Sequence, residues 1–557
     1  MSSSSPGERG DQSPPRSPTP PPLPQPPLVG ALIESLSFRS CGFGRAAASA
    51  FEKEDLRARA ALPQRLRAAV HAALRARDPS AGAFAYVPGY AYTYEAGAGG
   101  GGGGRGVSVS VNPWFGAAHD DAPESPLIAF VNPRSGGRLG PVLKSRLQEL
   151  IGEDQVFDLT IVKPSDFVEY ALACLEQLAD AGDHSAKFIR HNLRVMVAGG
   201  DGTVGWVLGC LGDLYVQNRE PVPPVAVIPL GTGNDLSRSY GWGASFPFGW
   251  KAAAKRSLYK AIFGSVSCLD SWHVVVSMPA RDEEEEEELN LPHSLRNLGE
   301  CTFYDDGTAE GELPETVSCF NGVFYNYFSI GMDAQVAYGF HHLRDEKPFL
   351  ASGPLSNKLI YAGYTCKQGW FFTQCISDPE LRGLRNIIRL SIKKMDSSEW
   401  ENIPVPSSVR AIVALNLHNY ASGRNPWGNL KPEYLEKRGF VEAQSDDGLL
   451  EIFGLKQGWH ASLVMVELIS AKHIAQIAGD IHIVKILWKK TISANPPYCT
   501  IFQAAAIRLE IKGGQWRDAY MQMDGEPWKQ PLNPEYSTFV DIKKVPYPSL
   551  IINGGDR

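Results

Sequence analysis

The stretch Val195-Met-Val-Ala-Gly-Gly-Asp-Gly-Thr-Val-Gly-Trp-Val-Leu208 decides the fold of the first half of the chain. A short β-branched apolar run stops at Gly199–Thr203 and restarts with helical spacing. That pattern predicts a strand, a tight turn and a helix N-terminus, with one carboxylate, Asp201, at the bend. Backbone N–H groups at such a bend, with the positive end of the following helix, make a site for phosphate. Asp201 would repel a bare phosphate, so its presence points to a metal ion or to a proton that must be taken. Both fit phosphoryl transfer from Mg-ATP.

Outward from this stretch the same alternation recurs. Leu127–Val131, Val156–Val162, Leu193–Ala198 and Val225–Pro229 read as strands. Helices are expected near Pro141–Ile151 and over Asp166–Ala181, the latter capped by Ser165. Short apolar strands alternating with helices predict an α/β domain with a doubly wound, Rossmann-like parallel sheet. In such sheets ligands bind beyond the carboxyl ends of the strands, where the glycine-rich loops fall. This nucleotide-binding part is assigned to residues 123–270.

Beyond Asp270 extended segments dominate: Trp272–Met278, Val317–Phe328, Val409–Leu417, Leu449–Leu455, Ile507–Ile511, Ala519–Met523 and Phe539–Lys544. A β-rich accessory domain with a few helices, such as Leu463–Ile477, is expected over 271–547, followed by a C-terminal tail at 548–557. The acidic run Arg281–Glu288 reads as a solvated loop tip.

Residues 1–122 differ. The first 28 are Ser/Pro-rich and read as disordered. Gly97–Gly106 reads as a linker; it satisfies G-x-G-x-x-G trivially, with no strand before it. Between them an arginine-rich helix is expected over 56–78, with Leu62, Leu66, Val70 and Leu74 on one narrow face. Such a helix rests on an anionic membrane or docks on the globular body or a partner.

The 557 residues carry 43% hydrophobic content and a net charge of −7, which argues against nucleic acid as a partner. Nine scattered cysteines without C-x-x-C suit a reducing compartment and give no zinc or redox motif. No apolar run approaches the roughly 18–20 residues that cross a bilayer. The N-terminus lacks a secretory core. A cytoplasmic, water-soluble protein is expected.

Three glycine-rich loops follow three strands: Asn132-Pro-Arg-Ser-Gly-Gly137, Gly199-Gly-Asp-Gly-Thr203 and Gly231-Thr-Gly-Asn-Asp235. No G-x-x-x-x-G-K-[ST] is present, which excludes a P-loop enzyme. The second and third loops, with Asn326-Tyr-Phe-Ser-Ile-Gly-Met-Asp-Ala-Gln335 and Gln522-Met-Asp-Gly-Glu-Pro-Trp528, resemble the signatures of diacylglycerol kinases. Leu415–Trp427 resembles the compact plant members that lack C1 domains. The likeness spans roughly Leu127 to Gly554.

That resemblance implies an ATP- and Mg²⁺-dependent lipid kinase with its active site between an α/β and a β-rich domain. Its lipid substrate, diacylglycerol, implies peripheral association with a membrane surface. Carried over by motif, Asn132, Ser135, Gly136 and Gly137 would touch ATP phosphates. Gly199, Gly200, Gly202 and Thr203 would cradle them, and Gly231, Thr232, Gly233 and Asn234 would complete the cleft. Asp201 would join the Mg²⁺–water network. Asp524, in Met523-Asp-Gly-Glu526, would be the base for the lipid hydroxyl; Asp-Gly is equally a hairpin signal, and both readings can hold. Asp446 and Asp447 are a turn at a strand start or, by likeness to bacterial relatives, a structural Mg²⁺ site. A sphingoid-base or ceramide kinase and an impaired lipid-binding protein are the alternatives; the former more often has Gly-Ser-Gly-Asn where Gly231–Asp235 stands.

One segment departs from the family pattern. Ile477–Gln503, 27 residues, separates Ala471–Gln476 from Ala504–Glu510 and carries none of the motifs. Its end, Tyr498-Cys-Thr-Ile-Phe-Gln503, is what a pyrimidine-rich tract followed by CAG would encode. A retained intron or a gene-model artefact is expected.

Overall fold

Aliphatic runs bounded by glycine loops build the first sheet. β1 (Leu127–Val131) and β4 (Val225–Pro229) are buried at every residue, as strands covered on both faces must be. The computed structural model describes residues 52–84, 122–135, 139–279, 291–292, 294–301, 317–346, 383–394, 400–438, 440–456, 472–478, 504–513 and 516–555. Among them β2 (Val156–Asp158), β1, β3 (Arg194–Gly199) and β4 run parallel in the order β2-β1-β3-β4. Alternate residues of β1 face opposite layers. Ile128 and Phe130 pack with Val207, Leu211 and Leu214 of the helix Asp201–Val216. Leu127, Ala129 and Val131 pack with Leu143 and Leu147 of the helix Gly140–Ile151 and Leu258 of the helix Ala253–Phe263.

The sheet is mixed. Chain order continues through β5 (Val266–Leu269), β6 (Trp272–Pro279), β7 (Arg296–Cys301), β8 (Val317–Phe324) and β9 (Tyr327–Gly331). Then come β10 (Ile388–Lys394), β11 (Trp400–Ile403), β12 (Val409–Leu415), β13 (Leu449–Lys456), β14 (Lys472–Ala478) and β15 (Ala504–Ile511). Last are β16 (Asp518–Met523), β17 (Glu526–Pro531), β18 (Thr538–Lys544) and β19 (Ser549–Ile552). β19 returns to the first sheet, parallel to β4, and pairs antiparallel with β5 on its other side. The stretch expected to be a tail is therefore a strand, locked by Trp242 Nε1–H on the Ile552 carbonyl at 2.7 Å. The order begins 2-1-3-4, not the Rossmann 3-2-1-4.

The remaining strands form two antiparallel sheets, β11-β10-β15-β18-β6-β8-β7 and β14-β13-β12-β9-β16-β17. Val274, Leu390, Leu509 and Val540 of one meet Phe328, Ile412, Ile452 and Trp528 of the other in one apolar core. The edge strand β14 corrects the helix expected over Leu463–Ile477 where that range is described; residues 463–471 lie outside the described residues. Pairing with β13, His473 opposite Phe453 and Ile477 opposite Leu450, supplies the backbone partners that a helix would have supplied internally. Of the insert, Ile477 and Ala478 end β14, and 479–503 lie outside the described residues.

Three local expectations also change. The strand expected to Val162 stops at Asp158, whose carboxylate takes the Thr160 N–H at 3.0 Å and starts a turn. The next helix begins at Pro164 with Lys163 at its N-cap, so Ser165 caps nothing. The single helix expected over 56–78 is two, Lys53–Ala60 and Gln64–Ala76, broken at Pro63.

These helices dock on the α/β layer. Leu56, Leu62, Leu66 and Val70 are buried in its cores and Leu74 packs at their margin. Gln155 ties the break down, accepting the Leu62 N–H at 2.9 Å and donating to the carbonyls of Ala60 at 3.1 Å and Leu127 at 2.7 Å. Arg65 pairs with buried Asp183 and Arg59 with Glu124. The apolar face is thus spent on protein, and a lipid surface has no claim on it.

Candidate active site

Two of the glycine loops meet backbone to backbone at the carboxyl ends of β3 and β4. A Cβ on Gly231 would lie 2.7 Å from the Gly200 Cα, so nothing larger than glycine fits while the loops keep this spacing. The first loop joins through Asn132, whose Nδ2–H donates to Thr203 Oγ1 at 3.1 Å and whose Oδ1 accepts the Arg134 N–H at 3.0 Å. Ser135 donates its N–H to the Asn132 carbonyl at 3.2 Å. Gly136 and Gly137 lie outside the described residues.

The third loop is shaped by Asn234, a left-handed residue (φ 54°). Its Oδ1 accepts the Gly231 N–H at 2.9 Å, and its Nδ2–H groups donate to the carbonyls of Gly231 and Ala244, each at 2.8 Å. That side chain is consumed in holding the loop. Gly231, Thr232 and Gly233 form the rest of the bend, as Gly199, Gly200, Gly202 and Thr203 form the other.

Asp201 begins the helix Asp201–Val216. Its carboxylate accepts the backbone N–H of Asp235 at 2.7 Å and of Leu236 at 3.3 Å. Desolvation, then the neighbouring charges of Asp235 and Asp524, push its pKa up. A Cβ on Gly233 would lie 3.4 Å from Asp235 Oδ2 and 3.7 Å from Asp201 Oδ2, so both oxygens address one small space. Hard oxygens of this kind suit Mg²⁺, which takes one or two carboxylates together with phosphate oxygens and waters. Among the described residues no group of three or more His, Cys, Asp or Glu side chains is placed to hold a metal unaided.

Asp524 arrives from the β-rich half. Asp524 and Gly525 link β16 to β17 as a two-residue hairpin, both left-handed (φ 50° and 84°), the backbone that Asp-Gly favours. The turn aims the Asp524 carboxylate at the helix Asp201–Val216: a Cβ on Gly205 would lie 3.6 Å from its Oδ2. Three backbone N–H groups converge on it, from Tyr325 at 2.8 Å, Asn326 at 2.7 Å and Tyr327 at 3.0 Å. Those bonds favour the charged form, yet burial outweighs them and raises the pKa to about 7. Glu526 also reaches the first turn of that helix, with its Oε1 2.8 Å from where a Gly202 Cβ would be. The structure therefore brings Asp201 and Asp524 to one helix end from opposite halves of the chain.

Asp446 and Asp447 are not brought into this cleft. Asp446 is exposed. Asp447 spends its oxygens on its own turn, accepting the Gln444 N–H at 3.2 Å and the Leu449 N–H at 2.8 Å. Buried Asp270, close by, binds the Gly448 N–H at 2.6 Å and the Lys544 ammonium at 3.0 Å. An ammonium thus supplies positive charge at Asp270, next to the two aspartates for which the sequence suggested a structural Mg²⁺.

Asp235 and Glu526 stand inside the quoted motifs but received no role from sequence. The available signal for Asp235 was its place directly after Asn234 and before a helix. What the sequence could not show is that its carboxylate accepts the N–H groups of Ser422 at 3.2 Å and Gly423 at 2.6 Å, from the other half of the chain.

Residues 126–266 match the family described as diacylglycerol kinase catalytic domain, and residues 323–527 match the diacylglycerol kinase accessory domain. The chain is 63% identical to diacylglycerol kinase 4 of Arabidopsis thaliana over 432 residues, covering 78% of this chain and 82% of that protein. It is 54% identical to diacylglycerol kinase 7 of the same plant over 523 residues, 94% of each. Human diacylglycerol kinase iota is 31% identical over 338 residues, 61% of this chain and 26% of that protein. With relatives this similar over most of its length, the chain belongs to the diacylglycerol kinase family.

Proposed function

We infer that the protein transfers the γ-phosphoryl group of ATP to the free hydroxyl of 1,2-diacyl-sn-glycerol, yielding phosphatidic acid. The observation that carries this reading is the convergence of Asp201 and Asp524 on the first turns of the helix Asp201–Val216. The bends at Gly199–Thr203 and Gly231–Asn234, with Asn132 bonded to Thr203, would set the N-terminus of the helix Asp201–Val216 against the triphosphate. Mg²⁺ held by Asp201 with the phosphates would screen their charge.

The lipid hydroxyl comes from the Asp524 side. An alcohol is far less acidic than any carboxylic acid, so Asp524 takes the proton late, as the new P–O bond forms. A pKa near 7 suits that work: about half of the groups are ionised at neutral pH, and each is more basic than an ordinary aspartate. Among the described residues no helix is long and apolar enough to cross a membrane. The substrate lies in a bilayer, so the enzyme works as a peripheral, cytoplasmic visitor to that surface.

The test is a substrate panel. Purified protein, with and without residues 477–503, is given labelled Mg-ATP and micelles of diacylglycerol, ceramide or sphingosine. Label is expected in phosphatidic acid. Label only in ceramide or sphingosine would replace this reading by the sphingolipid one, and no label with either form would leave a lipid-binding protein.

A further inference from the structure

Asp333 lies outside the cleft, in the first turn of the helix Met332–Glu346, and is buried. Its Oδ2 accepts three bonds: from Ser329 Oγ–H at 2.6 Å, Tyr420 Oη–H at 2.7 Å and Gln522 Nε2–H at 2.9 Å. The donors come from β9, the turn after β12, and β16.

Two of those donors lead to the cleft. Tyr420 opens a turn in which Ala421, Ser422 and Gly423 are successively left-handed, at φ 47°, 76° and 90°. Consecutive N–H groups of such a turn form a concavity for an anion. Here the anion is the Asp235 carboxylate, and the Asp235 N–H in turn holds Asp201. Gln522 sits two residues before Asp524 in β16. Tyr327 closes the circuit: its hydroxyl donates to Gln522 Oε1 at 3.4 Å, its N–H to Asp524 at 3.0 Å, and its ring meets Tyr420 edge-on at 4.8 Å.

We propose that Asp333 is a positioning residue: one buried oxygen that fixes the turn gripping Asp235 and the strand bearing Asp524 relative to each other. The nucleotide loop and the base then keep one geometry through phosphoryl transfer. The inference rests on the reaction inferred above. Burying a carboxylate is unfavourable, and the three donors on Oδ2 offset only part of that cost: Oδ1 is buried with no hydrogen-bond partner among the described residues, and burial still holds the pKa above the ordinary aspartate value. The return is precision, since a misplacement of ~1 Å costs about 100-fold in rate.

Four variants test it. Tyr420→Phe removes a hydroxyl and keeps the ring. Gln522→Met removes the amide at similar volume. Asp333→Asn keeps an acceptor without the charge, and Asp333→Ala removes it. Steady-state constants per folded molecule are measured with Mg-ATP and diacylglycerol micelles, with thermal midpoints alongside. Tyr420→Phe is expected to raise KM for ATP more than it lowers kcat. Gln522→Met is expected to lower kcat with KM for ATP unchanged. Asp333→Ala should do both, kcat falling about 100-fold, and Asp333→Asn should recover most of it.

The proposal is overturned if Tyr420→Phe and Gln522→Met lower only the midpoint, with both constants at wild-type values. It is also overturned if Asp333→Asn is as inactive as Asp333→Ala, because the charge itself would then be in use. Should Asp333→Ala not fold, the other three variants decide. Wild-type protein inert on diacylglycerol would sink the reaction instead. Equilibrium binding of ATP, expected weaker in Tyr420→Phe, would then decide the link to Asp333, and unchanged affinity would refute it.

Discussion

Asp235 donates its backbone N–H to Asp201 Oδ2 at 2.7 Å, so the third glycine loop hangs from the carboxylate of the second. The spacing leaves no room for a side chain between Gly200 and Gly231. Gly231→Ala would place a methyl 2.7 Å from both the Gly200 Cα and Asn234 Oδ1. Relieving that overlap costs about 1–3 kcal/mol and forces the loops apart. A raised KM for ATP in steady-state kinetics is the expected result; an unchanged KM would show that the loops do not shape the nucleotide site.

Burial holds the Asp524 pKa at about 7, above the ordinary 3.8. A base must be deprotonated, so kcat should rise with pH through an apparent pKa near 7 and level off above it. Stability runs the opposite way. The native state keeps this proton to higher pH than the unfolded chain, so Asp524's contribution is fully present below pH 3.8 and is lost as pH rises through 7. A pH–rate profile over pH 5–9 checks the first part; a flat profile between 6 and 8 contradicts it.

Leu66, at 1% exposure, lies with Leu62 and Val70 in the core on one face of the first sheet. Leu66→Ala is expected to destabilise by about 2–5 kcal/mol, as deletion of a packed core side chain does. Urea denaturation reads this directly. A change of under half a kcal/mol would return the helix Gln64–Ala76 to the status of a surface element, free for a membrane.

Lys544 is the counter-charge of buried Asp270. Lys544→Met keeps the aliphatic stem and leaves the carboxylate alone, at a cost of about 3–5 kcal/mol. Removing divalent cations from the wild type should not reproduce that loss. A fall in thermal midpoint on chelation, with Lys544→Met neutral, would restore the metal reading of Asp446 and Asp447.

Sequence pattern located the strands Leu127–Val131 and Val225–Pro229 to the residue, because each is a short buried run between glycine loops. It failed where tertiary partners decide. Ser549–Ile552 has too few residues to show a period, and only β4 and β5 make it a strand. Leu62, Leu66, Val70 and Leu74 announced an apolar face, but a face does not say what covers it. The four-residue spacing also ran through Pro63, where the helix breaks. At the site, Asp201 and Asp524 were legible because each sits in a glycine turn with a chemical reason to hold a carboxylate. Asp235, Asp333 and Tyr420 were not, since their meaning lies in bonds to segments far off in sequence.

The central claim is that Asp524 takes the proton of the lipid hydroxyl while Asp201 serves the nucleotide side. Asp524→Asn, of equal size and without a base, tests it most directly with Mg-ATP and diacylglycerol micelles. The account predicts that kcat falls by about 10²–10⁴ while KM for ATP stays near its wild-type value. A variant that keeps kcat within a few-fold of wild type would contradict it.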